Sequence, residues 1–254
     1  MVVNRAHPAC VPVPSATVAN ALVCLPTYNE RDNLEAMIEA LRPLGVRVLV
    51  VDDNSPDGTG ELADDLAAKF DFVSVLHRER KEGLGPAYVA GFRRALADGA
   101  ALVLEMDCDF SHDPADVLRL VQACDDGADL ALGSRYVAGG GTKDWGHGRR
   151  LVSTGGSWYA RTLLGVPIRD LTGGFKCYRR EVLEAMALDA IRSKGYAFQI
   201  ETTYRAIRLG FDVVEVPILF SDRTAGTSKM SRSIVFEAVA RVPALRFEAL
   251  TGRM

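Results

Sequence analysis

The chain has 254 residues, 48% of them hydrophobic, enough to fill the core of one large α/β domain or two small ones. Its 30 basic and 33 acidic residues leave a formal net charge of -3, so no global positive field points to nucleic acid as a partner. Cys10, Cys24, Cys108, Cys124 and Cys177 form no CxxC pair and read as reduced thiols of a cytoplasmic protein, while His7, His77, His112 and His147 offer no zinc spacing.

The opening "MVVNRAHPACVPVPSAT" has too short an apolar stretch for a signal peptide, and residues 1–19 read as a flexible leader. "ALVCLP" (21–26) is a strand, and Asn29 can cap a helix carrying Leu34, Met37, Ile38 and Leu41. "VRVLVVDD" (46–53) is the second strand, followed by the turn "NSPDG" and a helix with Leu62 and Leu66. "FVSVLH" (72–77) is the third, and a helix from about Gly85 to Asp98 follows it. "ALVLEMD" (101–107) makes the fourth strand, with Asp113 and Pro114 as N-cap and first-turn proline of the next helix. "ADLALGS" (128–134) makes the fifth.

Strands alternating with helices imply right-handed βαβ units: an α/β, Rossmann-like, mostly parallel sheet with helices on both faces. Such sheets bind ligands outside the carboxyl ends of their strands. "PTYNE", "DDNSPDG" and "DCDFSHD" each follow a strand, so they should meet on one edge of the sheet. From about residue 136 the pattern loosens through "VAGGGTKDWGHG" and "DLTGGFKCYRRE", which read as an acceptor-side elaboration of the same domain, spanning 20–230. The tail, 231–254, has Ile234, Val235, Ala238, Val239, Val242, Leu245 and Phe247 interspersed with Arg232, Arg241 and Arg246. It reads as an amphipathic helix, packed on its own domain or lying on a membrane surface, that Pro243 would kink or break. No run of about 18 apolar residues occurs, so work at a membrane would be done from the side.

Asp107 and Asp109 repel each other at close range, and hard carboxylate oxygens at a strand end suit Mg2+ or Mn2+ together with a diphosphate; a solvated or capping role is the alternative. Asp52 and Asp53 can accept hydrogen bonds from a base or ribose, or serve the turn made by Ser55, Pro56, Asp57 and Gly58. Taken singly, Arg135, Arg149, Arg150, Arg223 and Lys229 read as surface charges. With Ser153 and the acidic pair, they are what a site for two phosphate-bearing substrates needs. "GLGPAY" (83–88) ends in Tyr88 where a dinucleotide loop needs glycine, which argues against NAD.

Taken in order, "LPTYNERDNL", "VVDDNSPDGT", "GLGPAYVAGF", "MDCDFSHDP", "GSRY", "RRLVS", "DLTGGFKCYRREVL", "SKGYAFQIE" and "EVPILFSDRTAGTSK" resemble the polyprenol (dolichol) phosphate mannose synthases. These are inverting family 2 glycosyltransferases with the GT-A fold, and the chain resembles their form without transmembrane helices. The resemblance implies transfer of mannose from GDP-mannose to a polyprenyl monophosphate at the cytoplasmic face of a membrane. Pro26, Tyr28, Glu30, Val51 and Asp53 would hold the nucleoside. Asp107 and Asp109, with the backbone of Cys108, would hold metal and diphosphate. Ser111 stands where some members place a glutamine ligand, a departure that leaves its part in metal binding open. Arg135, Arg149 and Ser153 would receive the acceptor phosphate, and Arg223 with Lys229 would close over the donor, making Asp109, Arg135 and Lys229 the catalytic set. The membrane contact would be the basic tail or an anchoring partner protein. A UDP-sugar donor, or a non-catalytic nucleotide-sugar binding subunit, are the rival readings.

Overall fold

The computed structural model describes residues 15–143, 145–221 and 232–252, and for residues 15, 16, 147, 149 and 232–238 it describes the backbone only. A short helix, α1 (Ser15–Ala19), precedes β1 (Ala21–Thr27), α2 (Arg31–Leu41), β2 (Arg47–Asp52), α3 (Thr59–Lys69), β3 (Val73–His77), α4 (Leu84–Ala97), β4 (Leu102–Glu105), α5 (Asp116–Asp125) and β5 (Leu130–Ser134). The second half adds β6 (Gly141–Thr142), α6 (His147–Leu164), β7 (Lys176–Arg179), α7 (Arg180–Ala185), α8 (Tyr196–Arg208), β8 (Val213–Pro217), β9 (Leu219–Phe220) and α9 (Arg232–Leu250).

The main sheet runs β3-β2-β1-β4-β7-β5-β8, parallel throughout except for β7, which lies antiparallel between β4 and β5. Alternate residues of β1 face opposite ways. Val23 and Leu25 pack under α2 and α5 with Leu34, Met37, Ile38 and Leu120, whereas Leu22 and Cys24 pack under α4 with Tyr88 and Phe92. The α4 contact is close because Gly91 has no side chain: a Cβ there would lie 2.2 Å from Cys24 Sγ. Cys24, Cys108, Cys124 and Cys177 are buried free thiols.

The five strands and the helices between them lie where their apolar runs place them. Two local expectations are corrected. Asn29 adopts φ 56 in a left-handed turn, which its short polar side chain tolerates, and Glu30 takes the cap position of α2. Asp113 sits in a turn two residues ahead of the cap position of α5, which Ala115 takes, and its carboxylate accepts from Ala115 N at 2.9 Å. The region after residue 136 contributes β7 and β8 to the main sheet itself.

The tail is helical, and it runs unbroken through Pro243. A proline cannot donate to the carbonyl four residues back, which here is that of Val239. Tyr159 of α6 supplies the missing donor, its hydroxyl lying 3.1 Å from Val239 O. Val242 and Leu245 are buried against Ala160, Leu164 and Tyr204. Two arginines of the expected basic flank turn inward, Arg241 pairing with Glu201 and Glu248 and Arg246 donating to Leu164 O, while of Arg232 only the backbone is described. Tyr159→Phe should cost about 1 kcal/mol of unfolding free energy by orphaning that carbonyl. Most of the cost should vanish in a Pro243→Ala background, measured by denaturant titration of the double-mutant cycle.

Candidate active site

The carboxyl ends of β1, β2, β4 and β5 open into a cleft of about 510 Å³. Its lining unites Pro26 near the end of β1, Tyr28 and Glu30 after it, Asp53 after β2, Asp107, Cys108, Asp109 and Ser111 after β4, Arg135 after β5 and Ser153 of α6. Val51 stands apart: as an inward residue of β2 it is fully buried, and its side chain packs beside Gly91, so only its backbone faces Thr27. Of Arg149 only the backbone is described, and Arg223 and Lys229 lie outside the described residues.

At one end of the cleft the Lys81 ammonium lies 3.7 Å from the centre of the Tyr28 ring. Asp53 is held by Arg78 at 2.5 Å; burial raises its carboxyl above the usual range while the guanidinium pulls it back. Asp52 is spent on the turn, accepting from Thr27 Oγ1, Ser55 N and Ser55 Oγ.

In the middle, Asp107 Oδ1 accepts from Tyr88 OH at 3.4 Å and Asp109 Oδ1 from Ser111 N at 3.0 Å. Phe110 between them and Ser111 takes φ 57, a strained conformation that folds the loop back on itself. Ser111 Oγ is buried and has no hydrogen-bond partner among the described residues. An orphan hydroxyl beside two carboxylates is a hard-oxygen set that fits a divalent cation of the Mg2+ or Mn2+ kind. No group of three or more His, Cys, Asp or Glu side chains suited to a metal occurs among the described residues, so the remaining ligands would come from substrate and water.

At the other end Arg135 is not the loose surface charge that "GSRY" suggests. It is 8% exposed and grips Asp170 through Nε and Nη2, each at 2.7 Å, while Nη2 also donates to Thr172 Oγ1. Rings of Tyr136, Trp145 and Phe220 surround it. Tyr136 OH donates to Ser153 Oγ at 2.7 Å.

Several lining residues escaped the sequence reading, among them His112, Thr172, Lys194, Tyr196 and Gln199. The segment before α8 forms a wall. Gly85 N donates to Lys194 O at 2.9 Å, and a Cβ on Gly85 would fall 2.3 Å from Ser193 O, so only glycine admits this approach. Ser193 in turn donates to buried Glu201, which also receives Arg205 and Arg241. A sign lay in "SKGYAFQIE", a polar-rich stretch entering a helix.

His112 stacks on Phe175 with ring centres 4.9 Å apart and meets Phe220 edge-on. Burial depresses its pKa from 6.5 to about 4, against the pull of Asp109, so the ring is neutral near pH 7. The unfolded chain therefore takes up a proton that the folded one refuses. Stability should fall as pH drops from 6.5 towards 4, by up to about 1.4 kcal/mol per pH unit from this group. His112→Gln should remove that increment in unfolding titrations across the range, and an unchanged slope would contradict it.

Comparison with known proteins agrees with this geometry. The model of the family "Glycosyl transferase family 2" matches residues 22–186. A polyprenol monophosphomannose synthase of Mycolicibacterium smegmatis is 53% identical over 224 residues, covering 87% of this chain and 84% of the relative. An undecaprenyl-phosphate mannosyltransferase of Micrococcus luteus is 48% identical over 92% of this chain and 98% of the relative. Among solved structures, a glucosyl-3-phosphoglycerate synthase from Mycobacterium tuberculosis, in complex with Mn2+ and UDP, superposes with TM-score 0.62 at 20% identity over 97% of this chain and 86% of that one. A mannosyltransferase from Pyrobaculum calidifontis, in complex with GDP-Man and Mn2+, gives 0.54 at 14% identity over 92% and 74%. The fold is thus of the GT-A type, and the chain belongs to glycosyl transferase family 2, where it is similar to polyprenyl-phosphate mannosyltransferases.

Proposed function

We propose that the chain transfers mannose from GDP-mannose to a polyprenyl monophosphate with inversion, releasing GDP. The observation that carries this reading is the meeting, in one cleft, of the Asp107, Asp109 and Ser111 oxygens with the Tyr28–Asp53 end on one side and the Arg135–Ser153 face on the other. Relatives whose names specify mannosyl transfer to such lipids support it.

Pro26, Tyr28, Glu30 and Asp53 bind the guanosine, with Asp53 accepting from base or ribose and Val51 contributing backbone alone. Asp107, Asp109 and Ser111 hold Mg2+ or Mn2+, and the backbone of Cys108 approaches the diphosphate. When bound, the cation offsets charge developing on the leaving diphosphate. Arg135, Arg149 and Ser153 receive the acceptor phosphate, and Arg223 and Lys229 close over the donor. Arg135, already locked to Asp170, orients that phosphate more than it supplies net charge. An acceptor phosphate is ionised near neutral pH, so its oxygen can displace the diphosphate in line at the anomeric carbon without a general base. Buried neutral His112 matches that economy, being unsuited to carry a proton at that pH.

A lipid acceptor requires a surface turned to the bilayer. No helix among the described residues is long and apolar enough to cross a membrane. Leu151, Val152 and Trp158 of α6 and Val239, Phe247 and Leu250 of α9 are nevertheless exposed, and the two helices pack together. This apolar face, not the arginines of the tail, supports a peripheral seat at the cytoplasmic face, with Val152 both lining the cleft and 54% exposed at its mouth. An anchoring partner would cover the same face.

Purified protein with labelled GDP-mannose, a short polyprenyl phosphate and Mn2+ should form mannosyl lipid, and EDTA should stop it. Turnover of a UDP-sugar instead would overturn the donor assignment. Asp109→Ala should lower turnover about a hundredfold or more with an unchanged melting temperature. Trp158→Ser should weaken co-sedimentation with anionic vesicles by about tenfold; undiminished binding would remove α6 from the membrane face.

A further inference from the structure

Beneath the cleft lies a buried polar cluster that the proposed mechanism does not use. Lys176 of β7 is fully buried and spends its ammonium donors on Gln199 O at 2.9 Å, Gln199 Oε1 at 2.6 Å and Thr202 Oγ1 at 2.9 Å. Tyr178 OH donates to Glu105 Oε1, and Glu105 Oε2 lies 3.9 Å from the Lys176 ammonium. Gln199 is 2% exposed and lines the cleft, yet its Nε2 has no hydrogen-bond partner among the described residues.

An ammonium can only donate, so Lys176 fixes which end of the Gln199 amide faces it: Oε1 turns to Lys176 and Nε2 must point the other way. There it meets Gly174, another lining residue, where an added Cβ would sit 3.2 Å from Nε2. The Glu105 carboxylate lies close enough for the amide to favour its charged form but makes no hydrogen bond with Nε2, whose two N–H groups both stay available. A buried amide left with an N–H to give, beside a glycine, is built to meet an acceptor that arrives with a ligand.

Resting on the function proposed above, we infer that Gln199 Nε2 reads a hydroxyl of the transferred sugar, making Gln199 a specificity-determining residue and Lys176 the positioning residue that fixes its orientation. The placement fits. The nucleoside occupies the Tyr28–Asp53 end and the diphosphate the Asp107–Asp109 centre, which leaves the floor at Gly174 and Gln199, next to Arg135 and Thr172, for the group that is moved. Discrimination by a buried polar group is strong because a sugar lacking the matching oxygen leaves the N–H unpaired.

The test is to measure, by calorimetry with Mn2+ present, the affinities of GDP and GDP-mannose for the wild-type protein, Gln199→Met and Gly174→Ala. The second variant shields Nε2 with a methyl and leaves the Lys176 contacts in place, so it separates recognition from folding. Both variants should weaken GDP-mannose about tenfold while leaving GDP within about twofold. Equal loss of both ligands in either variant, or no loss of GDP-mannose, overturns the assignment. If the wild-type protein instead gains affinity from a UDP-sugar over UDP, the donor reading fails by itself, and Gln199 is judged on that pair by the same ratio.

Discussion

Strand β7 runs against its neighbours, and the chemistry of the cleft follows from that reversal. An antiparallel strand begins where the parallel strands beside it end. The segment "DLTGGF" ahead of β7 therefore arrives at the carboxyl ends of β4 and β5. There Asp170 locks Arg135, Thr172 and Gly174 line the cleft, and Lys176 is carried beneath it beside Glu105. Burying such charges costs several kcal/mol each unless every one is paired and hydrogen-bonded. The Arg135–Asp170 pair meets that condition. In the other, Lys176 is hydrogen-bonded to Gln199 and Thr202 while Glu105 Oε2 lies 3.9 Å away without a hydrogen bond. Lys176, although held down to about 8 by burial, stays charged at neutral pH.

The site is consequently layered. Two near-neutral ion pairs form its floor and flank, an acidic loop with an orphan hydroxyl forms its centre, and neutral His112 sits between them against aromatic rings. Its wall at Ser193–Tyr196 is tied through Glu201 to Arg241 of α9, so the helix that bears part of the exposed apolar face also braces the cleft. Fold, electrostatics and the proposed seat at the bilayer are thereby physically continuous.

Much of the parallel half is legible in the sequence because strands buried on both faces print as unbroken apolar runs. The carboxyl-end rule then gathers Pro26, Tyr28, Glu30, Asp53, Asp107 and Asp109 without any coordinates. What stays hidden has physical causes. "KCYR" and "VVEVP" are too short and too mixed to declare themselves strands, so the reversal that brings Asp170 to Arg135 leaves no periodic trace. The spacing of Arg241 and Arg246 fits an outward basic flank as well as the inward contacts they make, because periodicity does not reveal partners. Strand alternation alone does separate Val51, which faces α4, from the polar residues that follow β2. Gln199 and His112 resemble ordinary helix and loop residues until burial exposes their unpartnered atoms.

In the function proposed, the loop after β4 binds a divalent cation shared with the donor diphosphate. The most direct measurement is an anomalous difference map from crystals grown with GDP and Mn2+. One strong peak is expected in bonding contact with Asp107, Asp109 and the diphosphate, with Ser111 Oγ turned towards it. Well-ordered GDP in the cleft without a peak beside those carboxylates would contradict it.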